Sequence, residues 1–119
     1  MSRARVAKER LEKKGVLFLA IYLETENSSV VFLSEGEDRL GTLAVSMPQE
    51  EKMVGPPLSS VLLGDRNATI ARILAERLAQ TMNKIALVSV FTKTVDDREA
   101  APILLKLVRK ITEREAVEP

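Results

Sequence analysis

The sequence predicts a single α+β domain in which an antiparallel β-meander is followed by a helix, a strand and a second helix. Short runs rich in β-branched and aromatic residues fill the first half of the chain. Two segments of the second half repeat apolar residues at helical spacing. With 119 residues, the chain suffices for one hydrophobic core. We therefore divide it into a basic N-terminal arm (1–14), one α+β domain (15–113) and a loose C-terminal tail (114–119).

Short apolar runs separated by turn residues mark the strands. The clearest run, 16–23, lies between Gly15 and a polar stretch, and the last run ends at Phe91. The connections among the first three runs are too short for a crossover, so neighbouring strands are expected to pair antiparallel. The predicted strands cover residues 16–23, 29–34, 40–47, 58–63 and 85–91.

Amphipathic spacing identifies the two helices. Apolar residues recur along one stripe between residues 70 and 82, and again between residues 97 and 113. Both helices are expected to pack on one face of the sheet, because an apolar stripe must be buried against another element. Candidate N-caps are Asp65, Asn67 and Thr69 for the first helix, and Asp96 and Asp97 for the second.

The N-terminal arm is basic and has a poor apolar stripe. Residues 2–14 contain six Lys or Arg and two Glu, with Val6 and Leu11 as the main apolar side chains. We expect a frayed or loosely docked segment. It contains no aromatic residue that could stack on bases, so contact with nucleic acid is disfavoured. Docking on an acidic protein surface is the alternative role.

Composition argues against an enzyme and against a cofactor. The chain has no cysteine and no histidine, and its net charge is only +1. It therefore lacks the usual proton carrier near neutral pH and most ligands for zinc, copper or iron. An enzyme would have to use Tyr22, Lys84 or carboxylates, and Gly64-Asp65 lacks the Lys-Ser/Thr pair of a phosphate-binding loop. The longest apolar run is too short to span a bilayer, so a cytoplasmic location is expected.

Two strands are apolar on both faces, which predicts a protein partner. In residues 16–23 and 85–91, both alternating sets of side chains are mainly apolar. Two helices cover about one sheet face, so we expect the other face to be buried by dimerisation. The alternative is that residues 48–57 and the N-terminal arm fold over it. The candidate aromatic anchors of the interface are Phe18, Tyr22, Phe32 and Phe91.

Several blocks of the sequence resemble the proteasome assembly chaperone 4 family. The most specific is Ser59-Ser-Val-Leu-Leu-Gly-Asp65, which is followed by Ala75-Glu-Arg-Leu-Ala-Gln80 and by Asn83-Lys84 before a strand. An upstream block, Leu43-Ala-Val-Ser-Met47, adds to it. The motif residues carried by the resemblance are Leu62, Leu63, Gly64, Asp65, Asn83 and Lys84.

The resemblance implies a non-catalytic chaperone that holds proteasome α-subunits while the α-ring of the 20S core forms. It also implies pairing with a related chaperone 3 subunit, or with an identical chain where no such subunit exists. A dimeric scaffold of the signalling-adaptor type, unrelated to the proteasome, has the same helix-on-sheet pattern and is the alternative function.

Overall fold

A computed structural model describes residues 4–49 and 58–113. These residues form six strands and two helices. The elements are β1 (Arg5–Lys13), β2 (Val16–Glu24), β3 (Ser28–Glu35), β4 (Thr42–Ser46), β5 (Ser59–Leu63), α1 (Ala68–Met82), β6 (Ile85–Phe91) and α2 (Asp97–Glu113). The predicted tail 114–119 and most of the segment 48–57 lie outside the described residues.

The six strands form one mixed sheet in the order β1-β2-β3-β6-β4-β5. All pairs are antiparallel except β3 with β6, which run parallel. Helix α1 packs on β4, β5 and β6, and α2 packs on β1 and β2. The predicted α+β class, with helices on one sheet face, is confirmed.

The predicted antiparallel meander is wrong at its third strand, residues 40–47, which corresponds to β4. β3 and β4 do not pair; β6 lies between them and bonds to both. The connection 36–41 therefore spans two strand spacings, about 9.6 Å. The N–H of Gly41 donates to Ser89 Oγ at 2.8 Å, which holds this connection beside β6. Rules based on neighbouring strands miss such an insertion, because the inserted strand comes later in the chain.

The N-terminal segment is also different from the prediction of a frayed arm. Residues 5–13 form β1, which pairs with β2 along its whole length. Ala7 and Leu11 pack against the core, and Lys110 of α2 lies 3.6 Å from Glu9. Backbone pairing with β2 thus holds this segment in the sheet, although its alternate side chains are too small or too polar to form a clear apolar pattern. β1 extends the sheet and does not fold over it.

The hydrophobic core lies between the two helices and the sheet face that they cover, which we call the covered face. Phe18, Leu33 and Val88 are fully buried on this face. Leu78 of α1 and Leu104 of α2 pack against them from the helix layer. No helix among the described residues is long and apolar enough to cross a membrane.

The helix starts are held by polar side chains at the same end of the sheet. Asn67 takes the N-cap position of α1 with φ 66°, and its carbonyl accepts from the N–H of Ala71 at 2.9 Å. Its side chain does not cap α1 but donates to Thr92 Oγ1 at 3.0 Å. Asp96 Oδ1 accepts from the N–H of Glu99 at 2.8 Å, so Asp96 caps α2 as predicted.

Candidate protein-binding face of the sheet

The sheet face opposite the helices, which we call the open face, is apolar and partly exposed. It is formed by the strand residues that alternate with those of the covered face. In the described part of the chain, no helix or strand packs over it, and the connection 36–41 covers only the end near Ser34 and Ser89. Its apolar side chains are Leu17, Leu19, Ile21, Leu23, Val30, Phe32, Leu43, Val45, Ile85, Leu87 and Phe91.

Strand register joins these side chains into one continuous patch. One row crosses four strands through the paired residues Leu23, Val30, Leu87 and Val45. The next row contains Ile21, Phe32, Ser89 and Leu43. Side chains paired across neighbouring strands are close enough for direct contact. The open face is therefore a single apolar surface and not a set of isolated residues.

The apolar part of the open face is large enough for a small protein interface. The four strands that carry the paired apolar residues give a width of about 19 Å at about 4.8 Å per strand, and seven residues per strand give a length of about 23 Å. The resulting area of roughly 440 Å² lies within the range of the largest apolar patches on monomers. It is about half of the roughly 800 Å² that each partner contributes to a standard interface.

Basic side chains border this patch at two places. On β1, Lys8 and Arg10 pair with Ile21 and Leu19, so they lie on the same side of the sheet. At the other end of the strands, the Arg39 guanidinium lies 5.3 Å from the centre of the Phe91 ring. The open face thus combines an apolar centre with a partly cationic border.

The structure divides the four predicted aromatic anchors into two pairs. Phe32 and Phe91 lie on the open face, and their role in an interface stays a prediction. Phe18 and Tyr22 lie on the covered face, where they are 0% and 3% exposed, so their assignment to an outer face is corrected. Tyr22 is hydrogen-bonded to Ser29 at 3.2 Å, and burial raises the pKa of its hydroxyl above the ordinary value despite that bond.

Aliphatic side chains of the open face were missed as anchors. Leu19 and Ile21 of β2 and Leu87 of β6 belong to this face, but the sequence does not distinguish them from the core residues of the same strands. One signal was present: Ala20, in the alternate set of β2, is small enough for close helix packing, whereas residues 17, 19, 21 and 23 are all Leu or Ile.

The motif residues Leu62, Leu63, Gly64 and Asp65 lie where β5 turns toward α1. Gly64 has φ +85°, and a Cβ there would lie 2.7 Å from Thr42 Oγ1 and 2.9 Å from Thr42 Cα. A side chain is therefore excluded both by conformation and by space. Leu62 and Leu63 are 55% and 45% exposed. The glycine serves the fold, whereas the two leucines are available at the surface.

The motif residues Asn83 and Lys84 connect α1 to β6. Asn83 ends α1 in the left-handed conformation, with φ 54°. Lys84 Nζ lies 2.7 Å from Glu24 Oε2 and donates to the carbonyl of Thr25 at 2.9 Å. The other carboxylate oxygen of Glu24 accepts no hydrogen bond, but it lies 3.3 Å from the guanidinium of Arg5. Lys84 is thus part of an internal ion pair.

Two of the residues considered for an enzyme, Tyr22 and Lys84, both lie close to Glu24. Tyr22 is buried in the core, Lys84 is bonded to Glu24, and Asp96 caps α2. Among the residues that the structure describes, no group of three or more carboxylates is placed to bind a metal ion.

A sheet with helices on one side and an apolar, partly exposed surface on the other defines an α+β domain with a candidate protein-binding face. The model of the proteasome assembly chaperone 4 family matches residues 17–90, more than half of the chain. The chain belongs to the proteasome assembly chaperone 4 family. Membership supports a role in proteasome assembly, and chaperones of this kind are generally non-catalytic.

The solved structures that resemble the chain agree with this fold. A chain from a chaperone complex for yeast 20S proteasome assembly superposes with a TM-score of 0.65. The match covers 90% of this chain and 91% of that chain at 13% sequence identity, so it establishes a shared fold. A search of curated proteins finds no significant match.

Proposed function

We propose that the protein dimerises through the open face and binds proteasome α-subunits, promoting formation of the α-ring of the 20S core. The observation that carries the proposal is the continuous apolar surface across β2, β3, β6 and β4. Family membership supplies the proteasome as the target. The proposal includes the cytoplasmic location expected from the sequence.

Burial of the open face provides enough free energy for association. Covering roughly 440 Å² on each of two partners corresponds to a gross gain on the order of 20 kcal/mol. The loss of translational and rotational freedom opposes it by about 4–15 kcal/mol. Two such faces can pack as a sandwich with sheets about 10 Å apart. The partner is a second copy of this chain or a related chaperone 3 subunit.

The α-subunit is proposed to bind outside the open face, which the partner chaperone covers. Loop and strand ends remain accessible there, including Leu62 and Leu63, which are 55% and 45% exposed. These residues precede Gly64, so they are presented at a fixed turn. Dimerisation and client binding then use different parts of the domain and can occur together.

The experiment compares two substitutions that place a glutamate on opposite sides of the domain. Leu87→Glu changes the centre of the open face, whereas Ile73→Glu changes a residue of α1 that is 52% exposed. Light scattering during size-exclusion chromatography should show a dimer for the parent chain and for Ile73→Glu, and a monomer for Leu87→Glu. If the partner is a chaperone 3 subunit, the same comparison is made on the mixed pair.

Purified α-subunits of the same organism are then tested for co-purification with the dimer. Binding of at least one α-subunit is expected. The proposal would be contradicted by a chain that stays monomeric both alone and with its chaperone 3 relative, or by a dimer that binds no α-subunit. Recovery of membrane-traffic proteins by the dimer, without α-subunits, would favour the scaffold function.

A further inference from the structure

The helix layer carries a groove between α1 and α2 on the side of the domain opposite the open face. The helices run in the same direction, because Asn67 at the start of α1 bonds to Asp97 at the start of α2, while Met82 and Thr112 near their ends line one pocket. Two pockets of about 390 and 310 Å³ follow one another here and share Arg77 and Leu105. We call this surface the helix groove.

The floor and one wall of the helix groove are apolar. Ile70 and Leu74 are buried beneath it, and Ala101 and Leu105 of α2 are partly buried at its side. Ile73 of α1 also lines it and is 52% exposed, although the other side of α1 is fully packed on the sheet. An exposed isoleucine beside a concave apolar surface is typical of a place where another side chain binds.

Three arginines line the helix groove, and they add charge to its apolar floor. Arg77 lies at its centre, Arg98 at one end and Arg109 at the other. None of the three takes part in an ion pair within residues 4–49 and 58–113. Asp97 and Glu113 also line the groove, and Asp97 already accepts a hydrogen bond from Asn67. The groove therefore has an excess of positive charge around an apolar floor.

We infer that the helix groove binds an acidic amphipathic segment of a partner protein. A segment with apolar residues on one side would fill the floor, and its flanking carboxylates would pair with Arg77, Arg98 and Arg109. From Arg98 to Arg109, α2 extends about 16 Å, which corresponds to a ligand helix of three turns. The inference does not depend on the proteasome or on dimerisation, because the groove and the open face lie on opposite sides.

The probes are two synthetic peptides of three to four helical turns that differ only in charge. Both have leucines along one side; the first has glutamates beside them, and the second has lysines. Binding to the full chain is measured by calorimetry, and the site by methyl NMR. The acidic peptide is expected to bind and to shift the methyl signals of Ile73 and Ala101. The basic peptide should bind at least about tenfold more weakly.

A matched pair of charge reversals on α2 locates the binding site. Arg98→Glu changes a groove residue, whereas Lys106→Glu makes the same change at an exposed position that does not line the groove. Arg98→Glu should weaken binding of the acidic peptide about tenfold, and Lys106→Glu by less than about twofold. Leu87→Glu, which changes the open face, should leave peptide binding unchanged. The peptide experiment can therefore be interpreted whether or not the chain dimerises.

Four results would overturn the inference. Equal binding of both peptides would show an apolar contact without charge selection. Unchanged binding to Arg98→Glu would exclude the groove arginines, and NMR shifts confined to Val30 and Leu87 would move the site to the open face. A shortened chain that ends at Glu113 could bind the acidic peptide at least about tenfold more tightly than the full chain does. That result would identify residues 114–119, instead of a partner, as the occupant of the helix groove.

Discussion

The two faces of the sheet are both apolar but differ in how they are completed. On the covered face, Ala20, Ala44 and Ala86 alternate with larger residues, and all are almost fully buried beneath the helices. On the open face, the corresponding positions are mostly Leu, Ile, Val and Phe, and these large side chains remain partly exposed. Small residues on one face allow close packing of the chain's own helices, whereas large residues on the other offer area to another chain.

Both faces contain buried polar groups that are hydrogen-bonded within the chain, but by different means. The covered face buries the carboxylate of Glu35, which accepts from the N–H of Lys93 at 2.8 Å and from the N–H of Thr94 at 3.0 Å. On the open face, Ser34 Oγ bonds to the backbone of Arg39 at 3.1 Å, and Ser89 Oγ accepts from Gly41. A partner would therefore meet no unsatisfied hydroxyl at either serine.

The largest expected effect comes from replacing one leucine on each face with alanine and comparing the losses in the free energy of unfolding. Leu33→Ala, at a fully buried position of the covered face, should lower the free energy of unfolding by about 3 kcal/mol. Leu19→Ala, on the open face, should lower it by about 1 kcal/mol, because the side chain is already partly exposed. Urea unfolding is measured at a dilution where any dimer is dissociated. Equal losses would contradict the distinction between the faces.

A second test weakens the turn that brings α1 onto the covered face. Gly64→Ala should lower the free energy of unfolding by about 2 kcal/mol, since a methyl group meets Thr42 at a backbone conformation that already disfavours alanine. Gly15→Ala is the control: φ is +80°, but no atom lies within 4 Å of the added Cβ. Its loss should be about 1 kcal/mol, from conformation alone. Thermal unfolding of both variants decides whether space at Thr42 matters.

The smallest effect concerns Glu35 and depends on pH. Burial raises the pKa of this carboxyl, but bonds from the Thr94 hydroxyl and from the N–H groups of Lys93, Thr94 and Val95 outweigh it, so the pKa is lowered overall. A lowered pKa in the folded state stabilises the fold above the ordinary glutamate pKa, and this contribution is lost as the pH falls through the lowered value. Glu35→Gln should therefore cost about 1.5 kcal/mol near neutral pH.

The control for that substitution is Glu37→Gln, at an exposed carboxylate paired with Lys93. Urea unfolding of both variants is followed from neutral to acidic pH. The difference between the parent chain and Glu35→Gln should shrink with acidification. A difference that stays constant at all pH values would show that the carboxylate charge is not the cause.

Local patterns predicted most elements, whereas long-range pairing was not accessible from the sequence. The helices and the strands β2, β3, β4, β5 and β6 follow from apolar runs, spacing and turn residues. β1 was missed because Ala7, Glu9 and Leu11 form a weak stripe, and its stability comes from backbone pairing with β2. Motif residues Gly64 and Asn83 could be recognised from the sequence, but the contact of Gly64 with Thr42 depends on the long-range pairing of β4 with β5.

The candidate site was predicted as a surface but not residue by residue. Excess apolar strand surface is visible in residues 16–23 and 85–91, because both alternating sets are apolar. Which set faces the helices depends on the register with β3 and on the insertion of β6. Of the four candidate aromatic anchors, Phe18 and Tyr22 therefore lie on the covered face, while Phe32 and Phe91 lie on the open face.

The position of β6 also sets the order in which the chain can fold during synthesis. Until Ile85–Phe91 leaves the ribosome, β1-β2-β3 and β4-β5 are two separate ladders with no strand to join them. The pairing of β6 with β3 and β4, which joins the two ladders, must then form in one late step, which slows folding and leaves unpaired strand edges in the nascent chain. A chain stalled before residue 85 should accordingly be prone to aggregation.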